Sequence, residues 1–242
     1  MSNRSKLNAY ALLTAWIIAW FGLYFLLTHL RQIFGLQAPS HPPRTTVAIQ
    51  IAASSVFSWF MLGLTALMLR SRGQRLMDLG LRQPGALAGW GLALAVAALY
   101  LWGLSYSVLG TSPLLTDWSS YRVLTALAAG VSAGVCEETM FRGMVMAQTR
   151  DAGWPRWAQV AASGLLFALA HVGWGAATGR FDLATAAQAM VPTGVLGTLL
   201  AMAYLLGRRS LWPVITAHAI IDLVAEPWLM LYAAQGGMAG HH

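Results

Sequence analysis

The sequence is poor in charge, in lysine and in cysteine. Of its 242 residues only 10% are Asp, Glu, Lys or Arg, against 57% hydrophobic, with a mean hydropathy of +0.59. Soluble domains carry about 25% charged residues, so a soluble globular fold is excluded. The single cysteine, Cys136, excludes an internal disulfide and any cysteine-based metal cluster. Lysine occurs once, at Lys6, so the formal charge of +7 is an arginine effect. In a soluble protein such a balance would suggest nucleic acid. Here basic loops that meet anionic lipid account for it, and no nucleic-acid partner is implied. No internal repeat, low-complexity tract or long linker is visible.

What the chain has in abundance is long apolar runs. A spanning helix needs about 20 residues to cross about 30 Å of hydrocarbon. Seven runs between charges fit: 7–30, 45–69, 86–110, 121–147, 156–173, 183–206 and 211–234. They predict an all-α, polytopic membrane bundle of about seven helices, a single integral-membrane domain over 1–242. The first run is too long for a cleaved signal peptide and lacks a small-residue cleavage site; His241 and His242 read as the stub of a purification tag. Arginine then orients the bundle. Arg4, Lys6, Arg70, Arg72, Arg75, Arg82, Arg150, Arg156, Arg208 and Arg209 fall on one side, Arg31, Arg44, Arg122 and Arg180 on the other. The positive-inside rule places the amino terminus in the cytoplasm and the carboxyl terminus outside, as in a bacterial inner membrane.

Against this apolar background, ionisable residues inside spans stand out, because each costs several kcal/mol unless paired or hydrated. Glu137, Glu138 and Arg142 lie in the fourth run, His171 in the fifth, His218 and Asp222 in the seventh. Counted at 1.5 Å per residue from the nearest cytoplasmic arginine, Glu137 lies ~20 Å deep, His171 ~22 Å, His218 ~13 Å and Asp222 ~20 Å. Three spans thus carry acids and imidazoles at overlapping depths. Glu138 and Arg142 stand at i and i+4 with the acid first, the favoured order for a helical ion pair. That pairing leaves Glu137, on a different face, for general-base chemistry. Phe167 shares a face with His171, and His218 with Asp222.

These residues resemble a known family. Glu137-Glu138-x-x-x-Arg142, then Phe167-x-x-x-His171, then His218-x-x-x-Asp222, in that order on separate spans, is similar to the CPBP family. That family comprises CAAX prenyl proteases (Rce1-like) and bacteriocin-processing or immunity proteins, glutamic intramembrane proteases. The likeness covers roughly 120–225, the motif-bearing core. It implies that Glu137 activates water against a peptide carbonyl, with His171 holding that water and assisting proton transfer. It implies that His218 and residue 222 stabilise the oxyanion, with Glu138, Arg142 and Phe167 in support, and that no cofactor or metal is needed. The implied partner is a membrane-embedded or lipid-anchored peptide or protein in the bilayer. Position 222 is most often Asn in the family, and Asp222 departs from it. An ionised Asp cannot donate to an oxyanion, so Asp222 either stays protonated as a donor or orients His218.

Other readings compete. Glu137, His171 and His218 form a legitimate zinc set, which would make a metal-dependent membrane hydrolase; no HExxH motif is present. The buried charges alternatively lock helices together in a non-catalytic immunity-type scaffold or relay protons in a transporter, although paired broken helices or inverted repeats are not visible. Cys136 reads as a small buried residue, His29 and His41 as interface and loop residues, and Gln188 and Glu226 as weaker candidates. The eleven tryptophans read mainly as an interfacial belt. Glycines such as Gly130, Gly134, Gly164, Gly194 and Gly197 read as points of close helix approach.

Overall fold

A computed structural model describes residues 44–71, 73–107, 120–172 and 183–234. The expected first span, 7–30, and the break at Gly173-Trp174-Gly175 lie outside the described residues. Among the described residues every regular element is helical. In chain order these are α1 (Arg44–Arg70), a 3-10 turn (Leu76–Leu79), α2 (Leu87–Ser107) and α3 (Ser120–Ser132). Two π-helical segments follow, Ala133–Glu137 and Thr139–Val145, and run on into α4 (Met146–Asp151). Then come α5 (Arg156–Ala170), α6 (Leu183–Leu206) and α7 (Trp212–Ala234). The described part of the chain is all-α, and its helices occupy six of the apolar runs. Of the described residues, the stretch Ala189–Leu206 is long and apolar enough to cross a membrane, with a mean hydropathy of 1.8. The apolar stretches Ser55–Arg70, Leu87–Gly103 and Trp212–Ala225 are shorter.

Local chemistry sets the helix ends. α4 stops where Gly153 takes a left-handed φ of 82° and the Trp154 N–H donates to the Thr149 carbonyl at 3.0 Å, a Schellman closure. Pro155 cannot extend that helix and precedes α5 instead. α7 opens behind Ser210, whose hydroxyl oxygen accepts from the Trp212 N–H at 3.3 Å. Pro213 sits in the first turn of α7, where its missing N–H has no partner to lose.

The chain divides into two compact units. The larger, residues 40–143 with 202–242, contains α1, α2, α3, the first π-helical segment and α7. Within it α3 lies along α7, and α2 packs on α7 as well. A Cβ at Gly134 would come within 2.8 Å of the Ile215 carbonyl oxygen, so only glycine lets these backbones close. α1 is tied to α3 where Trp59 Nε1 donates to Ser132 Oγ at 3.1 Å. The 3-10 turn and the residues after it are clasped to the end of α6 and the start of α7: Tyr204 donates to the Leu79 carbonyl at 3.0 Å, Trp212 Nε1 to Leu81 at 2.9 Å and Ser210 to Gln83 at 2.5 Å. Two of the belt tryptophans therefore serve as hydrogen-bonded ties.

The smaller unit, residues 1–39 with 144–201, contains α4, α5 and most of α6. It buries uncharged polar side chains: Thr149, whose hydroxyl returns to the Val145 carbonyl at 2.8 Å, and Gln159, whose amide donates to the Trp154 carbonyl at 2.8 Å. Gly197 on α6 takes the Phe167 ring of α5 against its backbone.

Candidate active site

The π-helical stretch carries the acids. Glu137 closes the first segment, Glu138 follows it, and Arg142 lies in the second. Insertions of this kind in α-helices concentrate at functional sites, because they re-aim side chains that a regular helix would spread evenly. Thr139 supports the irregular turn by donating its hydroxyl to the Val135 carbonyl at 2.6 Å.

Glu138 is fully buried and its Oε1 accepts two hydrogen bonds. Arg142 Nη1 donates at 2.8 Å, and His218 Nδ1 lies at 2.6 Å. Arg142 is also fully buried. The other ring nitrogen of His218, Nε2, meets Asp222 Oδ2 at 3.3 Å. The larger unit thus holds a continuous chain, Arg142–Glu138–His218–Asp222, across the π-helical stretch and α7. A buried carboxylate needs such partners, since its desolvation cost is offset only by paired, hydrogen-bonded charge. Because a carboxylate oxygen accepts and does not donate when ionised, the Glu138 contact puts a proton on Nδ1 of His218.

The expected i, i+4 pair of Glu138 with Arg142 is present, and so is the proximity of His218 and Asp222. The bond between Glu138 and His218 was not among the expectations. Glu138 therefore does more than neutralise Arg142: it also orients an imidazole. Glu137 is half-buried; its Oε2, like that of Glu138, is shielded from solvent with no hydrogen-bond partner among the described residues, but Glu138 is committed through Oε1 to Arg142 and His218. Buried carboxylate oxygens of that kind are rare in native proteins and call for a water or ligand partner. The charges of Glu137, Glu138 and Asp222 all act on His218.

His171 and Phe167 belong to the smaller unit. His171 ends α5, half-buried, with Nδ1 2.7 Å from the Phe167 carbonyl oxygen. A carbonyl only accepts, so Nδ1 carries the proton and the basic nitrogen of the neutral ring is Nε2. The Phe167 ring, fully buried, stacks at 4.5 Å on the imidazole with a tilt of 42° and limits its rotation. Cys136 is wholly buried, in keeping with a packing residue. Among the described residues, no three His, Cys, Asp or Glu side chains are arranged to hold a metal ion.

The sequence reading passed over Tyr100. It lies on α2, half-buried, and the charge of Asp222 acts on its hydroxyl. No motif flags it; only the packing of α2 on α7 does.

Comparison with protein families matches residues 118–224 to the family described as type II CAAX prenyl endopeptidase, Rce1-like. No curated protein and no solved structure matches the chain. The matched stretch contains Glu137, Glu138, Arg142, Phe167, His171, His218 and Asp222, while Tyr100 precedes it. Residues 118–224, somewhat under half of the chain, are therefore similar to the Rce1-like family of type II CAAX prenyl endopeptidases.

Proposed function

We propose that this protein is a glutamate-dependent intramembrane endopeptidase that hydrolyses a peptide bond near the carboxyl terminus of a membrane-embedded or lipid-anchored substrate. The observation that carries the reading is the shielded, unpartnered Oε2 of Glu137 beside the Glu138–His218–Asp222 chain. A carboxylate acceptor of that kind suits a water molecule held for attack. Glu137 takes a proton from that water as its oxygen bonds the peptide carbonyl carbon, and the carbonyl oxygen becomes an oxyanion. His218, fixed by Glu138, stabilises the negative charge; preorganised donors contribute most at this step. Glu137 then gives that proton to the leaving amine as the C–N bond breaks, and His171, assigned by its place in the motif, assists the transfer. Asp222 orients His218. Arg142 keeps Glu138 ionised and in place.

The same reading places the chain in a bacterial inner membrane as a single integral-membrane domain of about seven spans, the amino terminus cytoplasmic and the carboxyl terminus outside. The arginine asymmetry supports that orientation, and the helices over six of the seven runs are compatible with the count. The CAAX description of the family suggests a prenylated carboxyl-terminal peptide as the first substrate to try.

Substitution tests the proposal. Glu137→Gln removes the base while keeping the shape, so cleavage should stop in a protein that still purifies and melts like the wild type. Chelator treatment separates this reading from a zinc hydrolase built on Glu137, His171 and His218: a glutamate enzyme keeps its activity, a zinc enzyme loses it and regains it with added zinc. A scaffold or transporter would keep its cellular phenotype in Glu137→Gln.

A further inference from the structure

Among the described residues of the larger unit, the side chains around His218 offer an oxyanion few donors. Glu138 and Asp222 accept when ionised. Arg142 is wholly buried on Glu138, and the Thr139 hydroxyl donates back to its own helix. His218 has Nδ1 committed to Glu138 at 2.6 Å, which leaves the more loosely held Nε2, 3.3 Å from Asp222, as its one donor. A neighbouring helix can supply a second donor.

α2 offers one. Its buried residues Gly89, Ala93, Val96 and Ala97 recur at helical spacing, and Tyr100 continues that stripe. α2 packs along α7, and Gly85, just before α2, lies against Pro213 in the first turn of α7. From these matched starts the helices run side by side in one direction. At 1.5 Å per residue Asp222 lies about 15 Å along α7 and Tyr100 about 20 Å along α2. Helical side chains lean back over the preceding turn, and the longer tyrosine reaches further back than the aspartate, which narrows that offset. The charge of Asp222 acts on the Tyr100 hydroxyl, as it should between groups on packed helices.

We propose that Tyr100 is a catalytic residue, its hydroxyl the second hydrogen-bond donor to the oxyanion beside His218. The inference rests on the peptidase reading and extends it outside the matched family segment. Tyrosine hydroxyls serve in this role elsewhere because they donate strongly and stay protonated near neutrality. The hydroxyl keeps its proton throughout. It bonds the oxygen as water adds to the carbonyl carbon, and that bond weakens when the C–N bond breaks and the carbonyl reforms. Asp222, an acceptor, aims His218; Tyr100 supplies the donation that Asp222 cannot.

The test uses the full chain in lipid nanodiscs with an internally quenched farnesylated peptide ending in a CAAX sequence. Tyr100→Phe keeps the ring and its packing and removes only the hydroxyl. Its kcat should fall about 100-fold with KM within about twofold of wild type, the signature of an interaction made only in the transition state. Affinity for a phosphinate analogue of the tetrahedral intermediate should fall in parallel. Adding Asp222→Asn to Tyr100→Phe should restore kcat at least about fivefold, because the new amide donates from position 222. A Tyr100→Phe enzyme with wild-type kcat beside an inactive Glu137→Gln overturns the role of Tyr100 and leaves the peptidase reading standing, as does a kcat loss without loss of phosphinate affinity. Failure of Asp222→Asn to restore turnover also overturns it. Retained turnover in Glu137→Gln overturns the peptidase reading itself, and a wild type that never cleaves the peptide overturns both.

Discussion

The two histidines of the proposed site are held by different means. In the larger unit His218 is almost fully buried and clamped by carboxylates at both nitrogens, Glu138 at 2.6 Å and Asp222 at 3.3 Å. In the smaller unit His171 is half-buried at a helix end, with Nδ1 2.7 Å from a backbone carbonyl and its ring 4.5 Å from that of Phe167. The first arrangement ties chemistry to stability: remove a member and uncompensated charge stays in the interior. The second separates them, because a backbone carbonyl at a helix end finds water easily. A histidine clamped between buried carboxylates and one held at a helix end should therefore respond differently to the same substitution.

That contrast can be broken experimentally, and the effects should fall in a definite order. Glu137→Gln is the largest: turnover should drop at least about 10³-fold, within the range of a lost general base, with thermal stability unchanged. Arg142→Met should come next and act on the fold. It leaves Glu138 buried without its cation, which costs about 3–5 kcal/mol, visible as a lower melting temperature and poor yield. Pairing it with Glu138→Gln should recover part of the loss, and failure to recover would mean the pair is not the cause. His218→Gln should lower both stability and turnover, each measurably. His171→Gln should lower turnover about 100-fold with a stability change under about 1 kcal/mol. Equal loss of stability in the two histidine variants would dissolve the contrast between the units. The smallest effect is Ser210→Ala, which removes the N-terminal cap of α7 and one tie to Gln83; about 1 kcal/mol of destabilisation is expected, with kcat unchanged.

Much of this was legible in the sequence, for identifiable reasons. Apolar runs give helices because a bilayer leaves the backbone few other ways to satisfy its hydrogen bonds, so α6 and α7 begin and end within a residue of their expected limits. The Glu138–Arg142 and His218–Asp222 proximities were legible because both are i, i+4 relations that a local helix guarantees. The bond from Glu138 to His218 was not, since 80 residues separate them and it depends on how α7 docks against the π-helical stretch. The π-helical turns were also hidden: a reading that assumes 3.6 residues per turn has no place for them. Tyr100 was missed for a third reason. A lone tyrosine in an apolar run looks like packing until the neighbouring helix is known.

The Rce1-like match covers the motif-bearing segment and leaves α1 and α2 outside it. Those helices are nevertheless bound into the larger unit, α1 through Trp59 on Ser132 and α2 along α7. A domain that supplies the acids and imidazoles still needs neighbours to enclose them, since water exclusion strengthens every electrostatic contact at the site.

The central claim is that Glu137 does the chemistry. Its most direct measurement is comparative membrane proteomics of cells carrying wild type or Glu137→Gln at equal protein levels, read at the carboxyl termini of membrane-anchored proteins. The account predicts at least one precursor that stays uncleaved only in the Glu137→Gln cells and is trimmed again when wild type is restored. Identical carboxyl termini in both strains, with the protein present and folded, would contradict it.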